Sequence, residues 1–332
     1  MALTADDIIE RRRLRRKLIF WRVLGVVAFL VAVVVAGVLA VGPDKIGARS
    51  SPHVARISID GFISDDRAEL ELIDGLAKND AVKAVIVSID SGGGATVGGE
   101  SLYDALRQLS AKKPTVASIK TLGASAAYMT AIATDQIFAY RTSITGSIGV
   151  LFQSPEVSEA MAKLGIKLTE VKSSPLKAAP SPFAPASPES LQVVKSLIDD
   201  SYNWFVDIVA ERRRLDRATT LKLADGRVYS GQQAKAAGLI DGIGGEGEAR
   251  DWLSKEKGID PALNVIEWKK EEPSRGFSFA DVAVRVVARQ LGFAPDATDT
   301  SAIAPWLPRL NLDGLLSVWQ APEQFNAGGS AR

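Results

Sequence analysis

Cysteine is absent from this sequence, which removes disulfides, zinc–thiolate centres and cysteine nucleophiles together. Histidine occurs once, at His53, so a Ser-His-Asp triad must use that residue or not exist. Its position just before a strand-like segment reads as an ordinary surface residue. An excess of charge of either sign is also missing: 40 Lys and Arg stand against 39 Asp and Glu, for a net charge of +1. That balance offers no basic groove for nucleic acid and no acidic solvating tail. What is present is ample core material, with 46% hydrophobic residues in 332, enough for one large domain or two small ones. No internal repeat is visible.

One long hydrophobic run is present near the start. Arg11, Arg12, Arg13, Arg15, Arg16 and Lys17 precede Leu18–Trp21, and the chain is then uncharged from Val23 to Val41. As a helix the uncharged run covers about 28 Å, close to the hydrocarbon thickness of a bilayer. The cations before it outnumber Lys45 and Arg49 after it, so the positive-inside rule puts the N-terminus in the cytoplasm and the body on the exported side. A cleaved secretory signal ending near Val38-Leu39-Ala40 is the competing reading. The run exceeds the usual apolar core of such a signal, which favours an uncleaved anchor.

Beyond Pro43 strand-like and helix-like segments alternate. Val54–Ile59, Val82–Asp90, Thr115–Ile119, Gln136–Tyr140 and Leu168–Lys172 read as strands. Asp65–Lys78, Val97–Leu109, Ala124–Ala133 and Glu156–Leu164 read as helices. This order predicts an α/β domain with a mainly parallel sheet, whose sites lie at the carboxyl ends of strands. A Pro/Ser/Ala-rich loop spans Ser173–Pro188, and a long helix follows from Ser187 to Arg214, with Pro188 and Glu189 in its first turn. From Lys269 periodicity fades. The end, Asn326–Arg332, reads as disordered, and Ala302–Trp319 as an apolar interface or membrane-facing surface.

Two turns carry candidate chemistry. Asp90-Ser91-Gly92-Gly93-Gly94 follows the most apolar strand and leaves backbone N–H groups accessible. It lacks the Gly-Lys-Ser/Thr ending of a phosphate loop and the third glycine of a dinucleotide fingerprint. An anion hole for a carbonyl oxygen fits better, beside the reading as a plain tight turn. In Gly123-Ala124-Ser125-Ala126-Ala127-Tyr128 the serine stands between a strand and a helix of small residues. Its oxygen there lies near unpaired N–H groups, although an isolated serine at that place is more often an N-cap. A nucleophilic serine needs a base, and a lysine can serve once burial disfavours its charge. Lys177 sits in the apolar stretch Pro175-Leu176-Lys177-Ala178-Ala179-Pro180, with no acid nearby in sequence, although most lysines are simply solvated.

Taken together, these segments resemble the signal peptide peptidase A family, in its short bacterial form with one repeat. Asp90-Ser91-Gly92-Gly93-Gly94 is similar to its Asp-Ser-Pro-Gly-Gly turn, and Ala124-Ser125-Ala126-Ala127-Tyr128 to its Ala-Ser-Gly-Gly-Tyr segment. Thr145-Gly146-Ser147-Ile148-Gly149-Val150 matches a third motif, and Lys172 to Ala178 corresponds to Lys-Ser-Gly-x-x-Lys-Asp. Ala224 to Gly231 and Ala237-Gly238-Leu239-Ile240-Asp241 complete the pattern, which runs from Val54 to Leu253.

The resemblance implies a ClpP/crotonase-like fold behind one N-terminal transmembrane helix. The chain then divides into a basic cytoplasmic N-terminus (1–17), an anchor (18–42), a peptidase domain (43–268) and an extension (269–332), partly disordered or interface-forming. It further implies that Ser125 is the nucleophile and Lys177 the general base; should a chain without Lys177 stay active, Lys172 and then His53 are the next candidates. The N–H groups of Ala126 and of Gly93 or Gly94 would hold the oxyanion, and neither metal nor cofactor is expected. Partners would be cleaved signal peptides or other apolar membrane-associated segments and further copies of the chain in a ring, at the inner membrane on its exported side. The resemblance also allows the lysine to come from a neighbouring subunit. Ala126 and Ala127 replace glycines and are expected to add bulk near the acyl group; Gly92 replaces a proline, and Ser174 and Ala178 alter the setting of the lysine. A crotonase-type acyl-CoA enzyme and a non-catalytic scaffold derived from a peptidase are the alternatives.

Overall fold

The apolar run that begins at Val82 builds the centre of the sheet because both of its faces are covered. Val85, Val87 and Ile89 join one buried cluster with Tyr128, Met129, Phe205 and Val209, while Ala84 and Ile86 join another with Val116, Ala249 and Leu253. A strand buried on both faces has no polar alternation to show. In this computed structural model the described residues are 17, 20–25, 27, 49–270 and the backbone of 316–318. The chain divides into two units, Met1–His53 and Val54–Arg332. Most of the expected anchor, 18–42, and most of the extension, 269–332, lie outside the described residues. Among those described, no helix is long and apolar enough to cross a membrane.

The described strands are β1 (His53–Ile63), β2 (Val82–Ala95), β3 (Thr115–Ala124), β4 (Gln136–Ala139), β5 (Ile144–Gly146), β6 (Val228–Ser230), β7 (Gly242–Ile243), β8 (Val265–Glu267) and β9 (Leu316–Val318). The described helices of the second unit are α1 (Arg67–Lys78), α2 (Thr96–Ser110), α3 (Ala126–Ile132), α4 (Ser158–Lys163), α5 (Pro188–Arg213), α6 (Arg217–Leu223), α7 (Gly231–Ala236) and α8 (Glu246–Lys257). The strand order is β6-β5-β3-β2-β1-β8, with β4 between β3 and β7 and with β9 on β2. Only the β5–β6 and β2–β9 pairs are antiparallel among those whose register is defined. This is a mixed α/β fold with a mainly parallel sheet, as expected.

Several helix ends follow directly from sequence. Asp66 accepts the Ala68 N–H at 3.0 Å to start α1, and Ser187 accepts the Ser190 N–H at 3.1 Å ahead of Pro188 to start α5. Two expectations need correction. Leu168–Lys172 is not a strand: the segment is largely exposed and pairs with no strand of the sheet, and its apolar Leu168 and Val171 are three residues apart and so would share no face of a strand. His53 is not a surface residue: it is 0% exposed and donates from Nδ1 to the Ser51 carbonyl at 2.7 Å.

Candidate active site

The strand β3 serves two partners in succession. Val116–Ile119 pair with β4, Lys120 and Thr121 turn outward, and Leu122–Ala124 pair with β5. On the other side the β2–β3 register shifts between Ile89 and Ser91, after which Ser91 lies opposite Gly123. The two turns singled out in the sequence are thus brought side by side. The Asp90 carboxylate ties them further by accepting the Leu122 N–H at 3.1 Å.

Each turn is shaped by contacts that leave little choice of residue. Gly93 has φ +106°, which an L side chain rarely adopts. A Cβ on Gly94 would lie 1.9 Å from the Ile63 carbonyl oxygen of β1. Ser91 Oγ donates to the Gly61 carbonyl at 2.5 Å and accepts the Gly93 N–H at 3.1 Å, pinning the bend to the end of β1. Of the two glycine donors expected from sequence, Gly93 therefore spends its N–H on Ser91 in this arrangement.

Ser125 is the strained residue of the second turn. Its backbone sits at φ 60°, ψ −120°, and its side chain makes no cap hydrogen bond to α3. An ordinary serine N-cap has extended backbone and gives its oxygen to the helix; neither holds at Ser125. A non-glycine residue in this conformation costs on the order of 1–3 kcal/mol and persists only where its surroundings over-determine it. Those surroundings are visible. The Ser125 N–H donates to the Gly146 carbonyl at 2.8 Å and its carbonyl accepts from Met129 at 3.0 Å. Thr145 Oγ1 donates to the Gly123 carbonyl at 2.7 Å. Gly146, at φ +83°, leaves no room for a Cβ, which would come within 2.6 Å of the Tyr229 ring. The segments around Thr145 and Tyr229 therefore hold the serine turn.

The far end of α3 is anchored as firmly. All seven helix residues are buried. Tyr128 Oη donates to the Leu239 carbonyl at 2.7 Å, and burial pushes the Tyr128 hydroxyl pKa upward. Arg212 caps the helix by donating to the Ile132 and Thr134 carbonyls, both at 2.9 Å, at the cost of a burial that lowers its pKa. Arg213 forms a two-pronged pair with Asp241 at 2.7 and 3.0 Å, and Asp241 accepts the Ile137 N–H at 2.8 Å. Burial opposes the Arg213 charge, yet the bond to Asp241 prevails and raises its pKa. Sequence inspection missed this clamp; Asp241 was visible only as part of a motif and Arg213 as one cation among several.

The alanines after Ser125 do not crowd the turn as expected. Gly99 of α2 packs so closely that a Cβ there would meet the Ala126 Cβ at 3.0 Å, so the Ala126 methyl points into the α2–α3 contact. Ala127 is fully buried as well. Lys177 differs in every respect. It is exposed, its backbone N–H closes a turn onto the Ser174 carbonyl at 3.1 Å, and Ala178 beside it has φ 57°. Lys172 forms an ion pair with Glu170 at 2.7 Å. Among the described residues no group of three or more His, Asp or Glu side chains could hold a metal ion.

Residues 107–260 match the model of peptidase family S49. A protein of Synechocystis named a "putative protease" is 35% identical over 72% of this chain and 87% of its own length. The chain belongs to peptidase family S49. A "putative protease" of Methanocaldococcus jannaschii is 38% identical over 63% of this chain and 67% of its own length. A protein of Enterococcus faecium named "Putative signal peptide peptidase SppA" is 33% identical, with 67% and 68% covered. As an S49 member this protein is a serine peptidase of the signal peptide peptidase A type.

Proposed function

We propose that the protein is a membrane-anchored endopeptidase in which Ser125 attacks a peptide carbonyl while a neutral Lys177 takes its proton. The tetrahedral oxyanion is held by the N–H groups of Ala126 and of Gly94 or Gly93, an acyl-enzyme forms with release of the amine, and water hydrolyses it. The strained turn at Ser125 carries this reading, because backbone strain imposed by the surroundings on a non-capping serine between strand and helix is of the kind that clusters at active sites. The sheet topology is compatible with the ClpP/crotonase-like fold. With an N-terminal anchor whose basic flank stays in the cytoplasm, the peptidase body lies on the exported side of the inner membrane. Apolar segments such as cleaved signal peptides are then the substrates at hand.

Assembly belongs to the same proposal. Ser125 is 1% exposed, whereas Lys177 stands in an exposed arm that also displays Leu164 at 75% and Val171 at 97%. Ile166, Leu168 and Leu176 of the same arm are exposed as well, and apolar exposure gathered in one segment favours an interface. A homo-oligomeric ring in which the arm covers a neighbouring copy would desolvate Lys177 and bring it to that copy's serine.

Labelling with a fluorophosphonate and hydrolysis of an apolar peptide reporter test the assignment in detergent-purified protein. Ser125→Ala is expected to abolish both, and Lys177→Ala to lower hydrolysis by roughly 10²–10⁴-fold, the range for loss of a general base. Wild-type activity should rise toward mildly alkaline pH, since a lysine base works only when neutral. Full hydrolysis by either variant contradicts the assignment.

A further inference from the structure

The irregularity that brings the two turns together is larger than a one-residue slip. Between the paired positions Ile89–Ile119 and Ser91–Gly123, β2 has the single residue Asp90, while β3 runs through Lys120, Thr121 and Leu122. In the same stretch β3 exchanges β4, its partner up to Ile119, for β5, its partner from Leu122. The surplus residues interrupt the ladders on both sides, so backbone groups of this bulge need partners from elsewhere.

Side chains of the two flanking segments supply them. On the β2 side the Asp90 carboxylate accepts the Leu122 N–H at 3.1 Å. On the β5 side the buried Ser143 donates from Oγ to the Lys120 carbonyl and accepts the Tyr140 N–H at 3.0 Å. The bulge is thus pinned at its start by one neighbour and at its end by the other. Leu122 stands just ahead of the serine turn, and Asp90 just ahead of Gly93 and Gly94. Their bond is a cross-tie between the strand that leads to the nucleophile and the strand that leads to a proposed oxyanion donor.

Resting on the Proposed function, we infer that Asp90 and Ser143 are positioning residues for hydrolysis. They act through the backbone of the bulge and together fix the spacing between the Ala126 N–H on one turn and the Gly94 N–H on the other. An oxyanion hole works only when its donors lie about 2.7–3.1 Å from the place the charged oxygen will occupy. A misplacement of about 1 Å costs roughly 10²-fold in rate. That loss falls on the transition state, where the charge develops, so it lowers kcat and leaves KM in place.

Asp90→Ala and Asp90→Asn in the full chain are the test, since Asn keeps an acceptor oxygen at the same reach and Ala does not. Relative to wild type, folded Asp90→Ala is expected to lose roughly 10²-fold in kcat for the peptide reporter, with KM within about twofold. It should also bind a peptide aldehyde, which forms a tetrahedral adduct on serine, roughly 10²-fold more weakly. Asp90→Asn should recover at least about a third of wild-type kcat. Ser143→Ala, which frees the bulge from the other side, should lower kcat by about tenfold at the same KM, and it decides the question should Asp90→Ala fail to fold. Wild-type kcat in folded Asp90→Ala or Ser143→Ala, a loss carried by KM instead, or an Asn variant as slow as the Ala variant overturns the inference. A wild type that neither labels at Ser125 nor hydrolyses the reporter overturns the Ser125 assignment, on which this inference rests.

Discussion

The turn around Ser125 and the arm around Lys177 are built on opposite terms. The serine turn is enclosed by β2, β5 and α2, and its backbone is strained because hydrogen bonds from both flanking segments hold it so. The arm from 151 to 187 contains a short helix, exposed apolar residues and little else to fix it within one chain. Strain can be sustained only where the surroundings are rigid, so the nucleophile belongs to the core. A base that must be desolvated by a partner has the opposite requirement, and in the proposed site it belongs to a surface that another copy covers.

This contrast is open to direct attack. Arg213→Ala should cost about 3 kcal/mol by leaving Asp241 without its buried partner, read as a lower denaturation midpoint at unchanged m-value. Ser125→Gly should abolish activity yet raise stability by about 1 kcal/mol, because glycine relieves the positive φ. Val171→Ser, in the arm, should leave single-subunit stability within about 0.5 kcal/mol and lower the assembled mass measured in mild detergent. A stability loss at Val171 comparable to that at Arg213 would show that the arm is packed within its own chain and would erase the distinction.

Much of the core was legible from periodicity. The segments at Val82, Thr115 and Gln136 stand out as strands, α1 and α5 begin at their Asp66 and Ser187 caps, and α2, which has no side-chain cap, begins one residue before its expected start at Val97. Strands of two or three residues, such as β5 to β8, escape any periodic test because they contain less than one full alternation. Leu168–Lys172 fails for another reason, since Leu168 and Val171 do not alternate and the segment has no partner strand. Within the site, the residue types at 93, 94 and 125 were readable. The positive φ of Ser125 was not, because the bonds that impose it come from Gly146 and from a segment some hundred residues further on that confines Gly146. The inward turn of the Ala126 methyl depends on Gly99 of another helix, a contact that no local pattern announces.

The claim that a buried serine is completed by an exposed lysine from another copy is tested most directly by mixing. Ser125→Ala and Lys177→Ala chains, each inactive alone, would be dissociated, combined and reassembled, and hydrolysis of the peptide reporter measured against each parent. The account predicts that the mixture recovers up to roughly a quarter of wild-type activity, the random-pairing share of sites with an intact serine beside an intact lysine. A mixture as inactive as its parents, in oligomers shown by mass to contain both chains, would contradict it.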